Sequence, residues 1–161
     1  PGLALAQTNL NMVSVGVNNY RDPKMNLRWS APDARDLAQL MNNNRMFTGR
    51  KDINVLVDQQ ATKQNVENAI ALLERRAGPN TYTILYLSGH GGRDARGHFQ
   101  YCPHDFDGRN PNSLVNSEAF IARLKRMPGR VFLIIDACHS GSAGFTNVWV
   151  TPSASNQLVI I

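Results

Sequence analysis

The sequence lacks the residue patterns that stabilise small cross-linked scaffolds. It contains only two cysteines, Cys102 and Cys138, with no C-x-x-C pair and no His/Cys cluster at zinc-binding spacing. These absences argue against a disulfide framework and a structural zinc site, and we interpret both cysteines as free thiols. No G-x-G-x-x-G or P-loop motif follows the first predicted strand, which disfavours nucleotide binding.

Long apolar runs and concentrated charge are also absent. No run of about 18 apolar residues occurs, so the sequence predicts no membrane span. Lys and Arg number 17 against 12 Asp and Glu, giving a net charge of +5 and an isoelectric point near 9.6. Because no Lys/Arg run exceeds two residues, we interpret this charge as a solvated basic surface and expect no nucleic-acid partner.

The composition is that of one folded domain, and the first residues resemble a short leader. Hydrophobic residues make up 42% of the chain and charged residues 18%, which suits a protein with a buried core. We predict a leader or signal-peptide remnant at residues 1–9 and a single domain over residues 10–161. A signal remnant would imply a periplasmic or secreted protein and an ordinary leader a cytoplasmic one, and the sequence leaves both open.

Apolar strand patterns alternate with helical ones along the chain. This alternation predicts an α/β three-layer sandwich with a mostly parallel central sheet. We expect the fold to be incomplete at the C-terminus, because the sequence given ends within the last predicted strand. Strands are predicted at 10–17, 53–57, 81–88, 130–135 and 157–161, a short extra strand within 97–103, and helices at 30–41, 62–76 and 116–127.

Two of the predicted strands end in residues that can perform chemistry. Strand 81–88 leads into His90 and strand 130–135 leads into Cys138. In a parallel sheet both would reach the same edge, where a His can activate a thiol for attack on a carbonyl carbon and then protonate the leaving amine. The backbone N–H groups of Gly91 and Cys138 are candidate oxyanion donors. A lone Cys or His is usually structural, so the hypothesis depends on the pair.

The segments Ser88-Gly-His90-Gly91 and Asp136-Ala-Cys138-His-Ser-Gly141 resemble the two catalytic blocks of caspase-like cysteine peptidases, specifically the metacaspase and orthocaspase branch of family C14. Caspases proper carry Gln-Ala-Cys where this chain has Asp-Ala-Cys. The resemblance implies a caspase-hemoglobinase fold and a cysteine endopeptidase that forms a thioester. It also implies that residues 10–161 comprise the p20 region, a linker and the first strand of a p10 region that is otherwise missing.

The resemblance also implies a preference for Arg or Lys at P1, the residue before the scissile bond. The matching pocket positions are Asp136, Asp33, Ser30 and Ser88, and a carboxylate pair at the base of a pocket would favour a guanidinium group. Family members often carry Cys at the position of Ser30. The alternative interpretation makes Asp33 a helix-start residue and Asp136 a capping residue.

Metacaspases commonly bind calcium, and the match to that site is partial. Pro103-His-Asp105-Phe-Asp107 corresponds to its first part, but Asn116-Ser117-Glu118 stands where a later acidic pair is expected. Since Ca²⁺ prefers several charged oxygen ligands, we expect no cofactor and no tight calcium binding, and calcium held through Asp105 is the alternative. Two further alternatives are a peptidase with another P1 preference and a non-catalytic binding or scaffold module.

Overall fold

The computed structural model describes residues 7–137 and the backbone of residues 149–152 and 156–160. Nine strands and three α-helices, besides three short 3-10 helices, are formed in this part of the chain. In order they are β1 Asn9–Gly16, α1 Ser30–Asn43, β2 Lys51–Val57, α2 Lys63–Arg76, β3 Thr81–Gly89, β4 Gly91–Arg93, β5 Phe99–Tyr101, β6 Val115–Asn116, α3 Ser117–Leu124, β7 Gly129–Ala137, β8 Trp149–Pro152 and β9 Asn156–Ile160.

The main sheet has the strand order β2-β1-β3-β7-β9-β8. All neighbouring strands are parallel except β8, which pairs antiparallel with β9. The predicted parallel sheet is therefore confirmed. Strand β8 falls in a segment that the sequence pattern assigned to a loop. Its four residues, which end in Pro152, lack the longer apolar alternation that marks the other strands.

Helices cover both faces of this sheet. Alternating residues of β3 divide between two apolar clusters: Ile84 and Tyr86 pack with α1, whereas Leu85 and Leu87 pack with α2 and α3. This period-two division is what a strand buried on both faces requires. The three-layer architecture predicted from the sequence is therefore confirmed.

A second, small antiparallel sheet lies after β3. It has the order β4-β5-β6 and contains the short extra strand that was expected within residues 97–103. Strand β4 begins immediately after His90, so the small sheet continues the backbone of that residue.

Capping residues define the helix starts that the sequence indicated. Thr62 accepts a hydrogen bond from the Asn65 N–H at the start of α2, and Asn116 accepts one from the Ala119 N–H at the start of α3. Helix α3 ends at Leu124, earlier than the predicted Met127. Within the described residues, no helix has both the length and the apolar character needed to cross a membrane.

Gly16 lets the start of α1 approach the end of β1. A Cβ atom at this position would overlap the Ser30 carbonyl group and would lie 2.8 Å from the Ala34 Cβ. We therefore expect Gly16→Ala to lower the free energy of unfolding by about 1–3 kcal/mol, because the helix must move away from the sheet. Urea unfolding measures the change.

Gly92→Ala is the matched control, since nothing lies within 4 Å of a Cβ atom built there. We expect this variant to unfold close to the wild-type midpoint. Equal midpoints for the two variants would contradict the proposed close contact.

Candidate active site

The carboxyl ends of β1, β3 and β7 lie side by side. The register pairs Gly16 with Ser88 and Ser88 with Asp136. Ser88 is buried, whereas Asp136 is exposed at the end of its strand. Residues that are far apart in the sequence therefore meet at one edge of the sheet, which is where a parallel α/β fold places its sites.

His90 follows β3 at this edge and has a defined hydrogen-bonding pattern. Its ring Nε2 lies 2.8 Å from the Met25 carbonyl oxygen. A carbonyl oxygen can only accept, so Nε2 carries the proton and Nδ1 holds the lone pair of the neutral ring. His90 is thus held in the tautomer that can take a proton through Nδ1.

Tyr20 contributes to the placement of His90 in two ways. Its hydroxyl oxygen accepts a hydrogen bond of 2.7 Å from the His90 backbone N–H. Its ring also packs against the imidazole, with the centroids 5.1 Å apart and the planes tilted by 44°. The sequence analysis did not identify Tyr20, because nothing local links a tyrosine to a histidine 70 positions away.

Gly89 is required between Ser88 and His90. Its φ of +149° is rarely adopted by residues with a side chain, and a Cβ atom there would lie 2.7 Å from the Tyr20 hydroxyl oxygen and 3.2 Å from that of Tyr101. Tyr101 donates a hydrogen bond of 2.9 Å to the Ser88 carbonyl, and complete burial raises the pKa of its phenol well above 10.

The loop that presents the Met25 carbonyl is held by side-chain hydrogen bonds. One carboxylate oxygen of Asp58, Oδ1, accepts the backbone N–H groups of both Asn18 and Asn19 at 2.8 Å. The Asn18 side chain in turn accepts from the Ala31 N–H and donates to the Arg28 carbonyl. These contacts tie the loop to α1 and to the end of β2.

The predicted substrate-binding residues lie at the same sheet edge. Asp136 Oδ2 accepts hydrogen bonds from the Ser88 hydroxyl at 3.3 Å and from the Tyr86 hydroxyl at 3.2 Å. Asp33 is exposed in the first turn of α1, and Ser30 is the buried first residue of that helix. Tyr86 was not identified from the sequence, where it is one more apolar position of β3.

The pKa of the Tyr86 hydroxyl is raised by its surroundings. Burial is the main cause that raises this pKa from 10 to about 12, and the contact with the Ser88 hydroxyl partly opposes it. The negative charges of Asp136 and Asp33 raise it further. The phenol therefore stays protonated at neutral pH and can donate its hydrogen bond.

Cys138 lies outside the described residues, which end at Ala137 on this side of the site. Its pairing with His90 therefore stays a prediction. Gly91 is the first residue of β4 and pairs with Tyr101. Its role as an oxyanion donor is likewise still a prediction.

Cys102 is a free thiol that lies close to the site but is buried. Its backbone N–H donates to the His90 carbonyl at 3.0 Å, and the residue is only 5% exposed. Burial raises the pKa of the thiol to about 11. This thiol therefore remains protonated and unreactive at neutral pH.

The residues considered for calcium already make hydrogen bonds within the protein. Asp105 Oδ1 accepts the Lys63 N–H at 2.8 Å at the start of α2. Asp107 Oδ1 accepts the N–H groups of Asn110 and Arg109, and these bonds lower the pKa of its carboxyl. The expectation that calcium is not bound tightly stays a prediction.

A second group with metal-ligating atoms lies on the surface at the β4–β5 turn. Atoms of Asp94, His98 and Glu118 lie within 4.8 Å of one another. His98 Nδ1 is 3.3 Å from Asp94 Oδ2 and 3.2 Å from Glu118 Oε2. Contacts of the His98 ring with the two surface carboxylates account for these distances.

The sequence of this chain matches a known protein family. A family model described as the caspase domain, Peptidase_C14, matches residues 13–157. The chain belongs to the caspase-domain family. This match confirms the resemblance inferred from the two sequence blocks.

Curated relatives of this caspase domain include fungal metacaspases. The chain is 29% identical over 143 residues to Metacaspase-1B of Aspergillus terreus and 32% identical over 143 residues to Metacaspase-1A of Aspergillus niger. These alignments cover 80% of this chain but only 37% and 35% of the two relatives. The chain thus spans about a third of the length of the curated relatives it matches.

A solved structure supports the fold. Protein GSU0716 from Geobacter sulfurreducens matches with a TM-score of 0.64 and 23% identity, over 83% of this chain and 51% of that one. This likeness agrees with the parallel sheet and flanking helices described above.

The two cysteines of the caspase domain should differ strongly in reactivity. With a pKa of about 11, Cys102 is about 0.1% thiolate at pH 8 and is buried as well, whereas we predict an activated thiol at Cys138. We expect iodoacetamide to label Cys138 at least about 100-fold faster, as measured by peptide mass spectrometry. Labelling of Cys102 should increase as the pH approaches 11, because deprotonation of its thiol then becomes favourable.

Two variants, each lacking one cysteine, identify the thiol that is labelled rapidly. It should persist in Cys102→Ala and disappear in Cys138→Ala. Fast labelling that survived in Cys138→Ala would contradict the assignment.

Proposed function

We propose that this caspase domain is the catalytic part of a cysteine endopeptidase that cleaves after Arg or Lys. Cys138 is the nucleophile and His90 is the base. The single observation that supports this most directly is the contact between His90 Nε2 and the Met25 carbonyl, which leaves Nδ1 as the proton acceptor. Membership of the caspase-domain family supports the same chemistry.

The proposed reaction has two halves. His90 Nδ1 takes the proton of the Cys138 thiol, and the sulfur attacks the peptide carbonyl carbon. The His90 imidazolium then protonates the leaving amine as the C–N bond breaks, which leaves a thioester. Water, deprotonated by His90, hydrolyses the thioester and restores the thiol as the acid product leaves.

Backbone N–H groups of Gly91 and Cys138 would stabilise the oxyanion in both halves. Gly91 directly follows His90 and its position is set by the β4–β5 pairing. Donors that are fixed before the reaction starts need no reorganisation as charge develops, which is the basis of this kind of stabilisation.

The basic P1 preference is supported by the acidic character of the sheet edge. Two carboxylates, Asp136 and Asp33, both act electrostatically on the Tyr86 hydroxyl. Ser88 adds a hydroxyl that is bonded to Asp136, and Ser30 lies one turn before Asp33. A cationic side chain placed here would donate charge-assisted hydrogen bonds to these carboxylates, whereas an acidic side chain would be repelled.

The proposal also includes a p10-like region outside this chain and activity without calcium. The chain spans about a third of its metacaspase relatives, so a p10-like region outside it would complete the walls of the site. Calcium is not required, because Asp105 already accepts the Lys63 N–H at the start of α2 and Asn116-Ser117-Glu118, with a single carboxylate, replaces the later acidic pair.

P1 profiling of the natural full-length protein tests the proposal. With fluorogenic peptides that differ only at P1, we expect cleavage after Arg and Lys and none after Asp or Asn. Activity should be lost in Cys138→Ala and in His90→Ala and should be the same with calcium or with a chelator. A preference for Asp or Asn would contradict the acidic pocket and favour a peptidase with another P1 specificity.

Charge-removing variants on α1 provide a matched pair. Asp33→Asn should lower kcat/KM for Arg peptides by about tenfold, since one of two carboxylates is lost. Asp36→Asn, an exposed residue on the same helix, should leave it unchanged. If the full-length protein cleaves no peptide and Cys138→Ala keeps full biological activity, the domain is instead a binding or scaffold module.

A further inference from the structure

Tyr86 connects the apolar core to the charged edge of the sheet. It lies on β3 two residues before Ser88, so both side chains project from the same face of the sheet. Its ring is buried in the apolar cluster that β1, β3 and α1 share, and the residue is only 6% exposed. Only its hydroxyl reaches the sheet edge, where it donates to Asp136 at 3.2 Å.

The two hydroxyl groups that contact Asp136 act on the same atom. Tyr86 and Ser88 both donate to Oδ2, and within the described part of the chain no hydrogen bond is made to Oδ1. An exposed aspartate at a strand end can otherwise rotate its carboxylate. Two donors on one oxygen restrict that rotation and leave the other oxygen facing away from them.

We propose that Tyr86 is a positioning residue that orients the Asp136 carboxylate and thereby makes the pocket prefer Arg to Lys at P1. This inference rests on the proposed function and deepens it. The Tyr86 ring is fixed by packing, so its hydroxyl is a more rigid donor than the short, rotatable Ser88 side chain.

The expected discrimination follows from the geometry of the two cationic side chains. A guanidinium is a planar fork that bonds well only to carboxylates in suitable planes. An ammonium is a compact charge whose three donors rotate to meet an acceptor in many orientations. A carboxylate free to rotate therefore weakens binding of Arg more than binding of Lys.

The test is Tyr86→Phe in the natural full-length protein, which keeps the ring and removes the hydroxyl. With peptides that differ only in Arg or Lys at P1, kcat/KM for Arg should fall about tenfold, mainly through KM. The value for Lys should fall by less than about threefold, so the Arg-to-Lys ratio decreases.

Tyr82→Phe is the matched control. Tyr82 lies on the same strand and on the same face, and its ring contacts Phe47, Phe132 and Arg130 far from the sheet edge. We expect this variant to keep the wild-type Arg-to-Lys ratio. Thermal unfolding of both variants separates a loss of stability from a change of specificity.

A double-mutant cycle provides the second measurement. In an Asp136→Asn background, Tyr86→Phe should produce no further change in the Arg-to-Lys ratio, because the group it positions is gone. An unchanged ratio in Tyr86→Phe alone, or an equal fall in both backgrounds, would overturn the inference while leaving the proposed peptidase activity intact. A wild-type protein that cleaves neither peptide would instead refute the proposed function, and this inference with it.

Discussion

The parallel register of β1, β3 and β7 is the constraint on which the rest of the site depends. It aligns Gly16, Ser88 and Asp136 in one row across the sheet. A shift of one residue would turn Ser88 and Asp136 to the opposite face, away from α1. The register is maintained by apolar side chains that alternate between two separate clusters, so the same packing that stabilises the core also determines which residues meet at the edge.

The segment from Ser88 to His90 shows how this edge is made rigid. Tyr20 binds the His90 N–H and Tyr101 binds the Ser88 carbonyl, and a side chain on Gly89 between them would collide with the Tyr20 hydroxyl and crowd that of Tyr101. The ring of His90 is then oriented by a carbonyl from a loop that Asp58 holds in place. Polar groups that lose contact with water need such partners, and here the partners also set the direction of the imidazole.

Much of the fold could be predicted from the sequence because the signals are local. Caps such as Thr62 and Asn116, and the apolar strands that lead to His90 and Asp136, are encoded within a few neighbouring residues. Strand β8 was not predicted, since a short strand ending in proline has little periodicity. The small sheet was anticipated only at β5, because β4 is Gly-Gly-Arg and β6 has two residues, so neither carries an apolar strand pattern.

The sequence by itself determined the family, through two blocks that place His and Cys at the ends of apolar strands, and it indicated Asp33, Ser88 and Asp136 as residues of one pocket. Only the tertiary structure decided the tautomer of His90 and the hydroxyl contacts of Asp136. Those features depend on Met25, Tyr20 and Tyr86, which lie 65, 70 and 50 positions from the residues they contact. The sequence around a tyrosine in an apolar strand is the same whether its hydroxyl binds water or a carboxylate. The packing of distant segments therefore decides which partner the hydroxyl has.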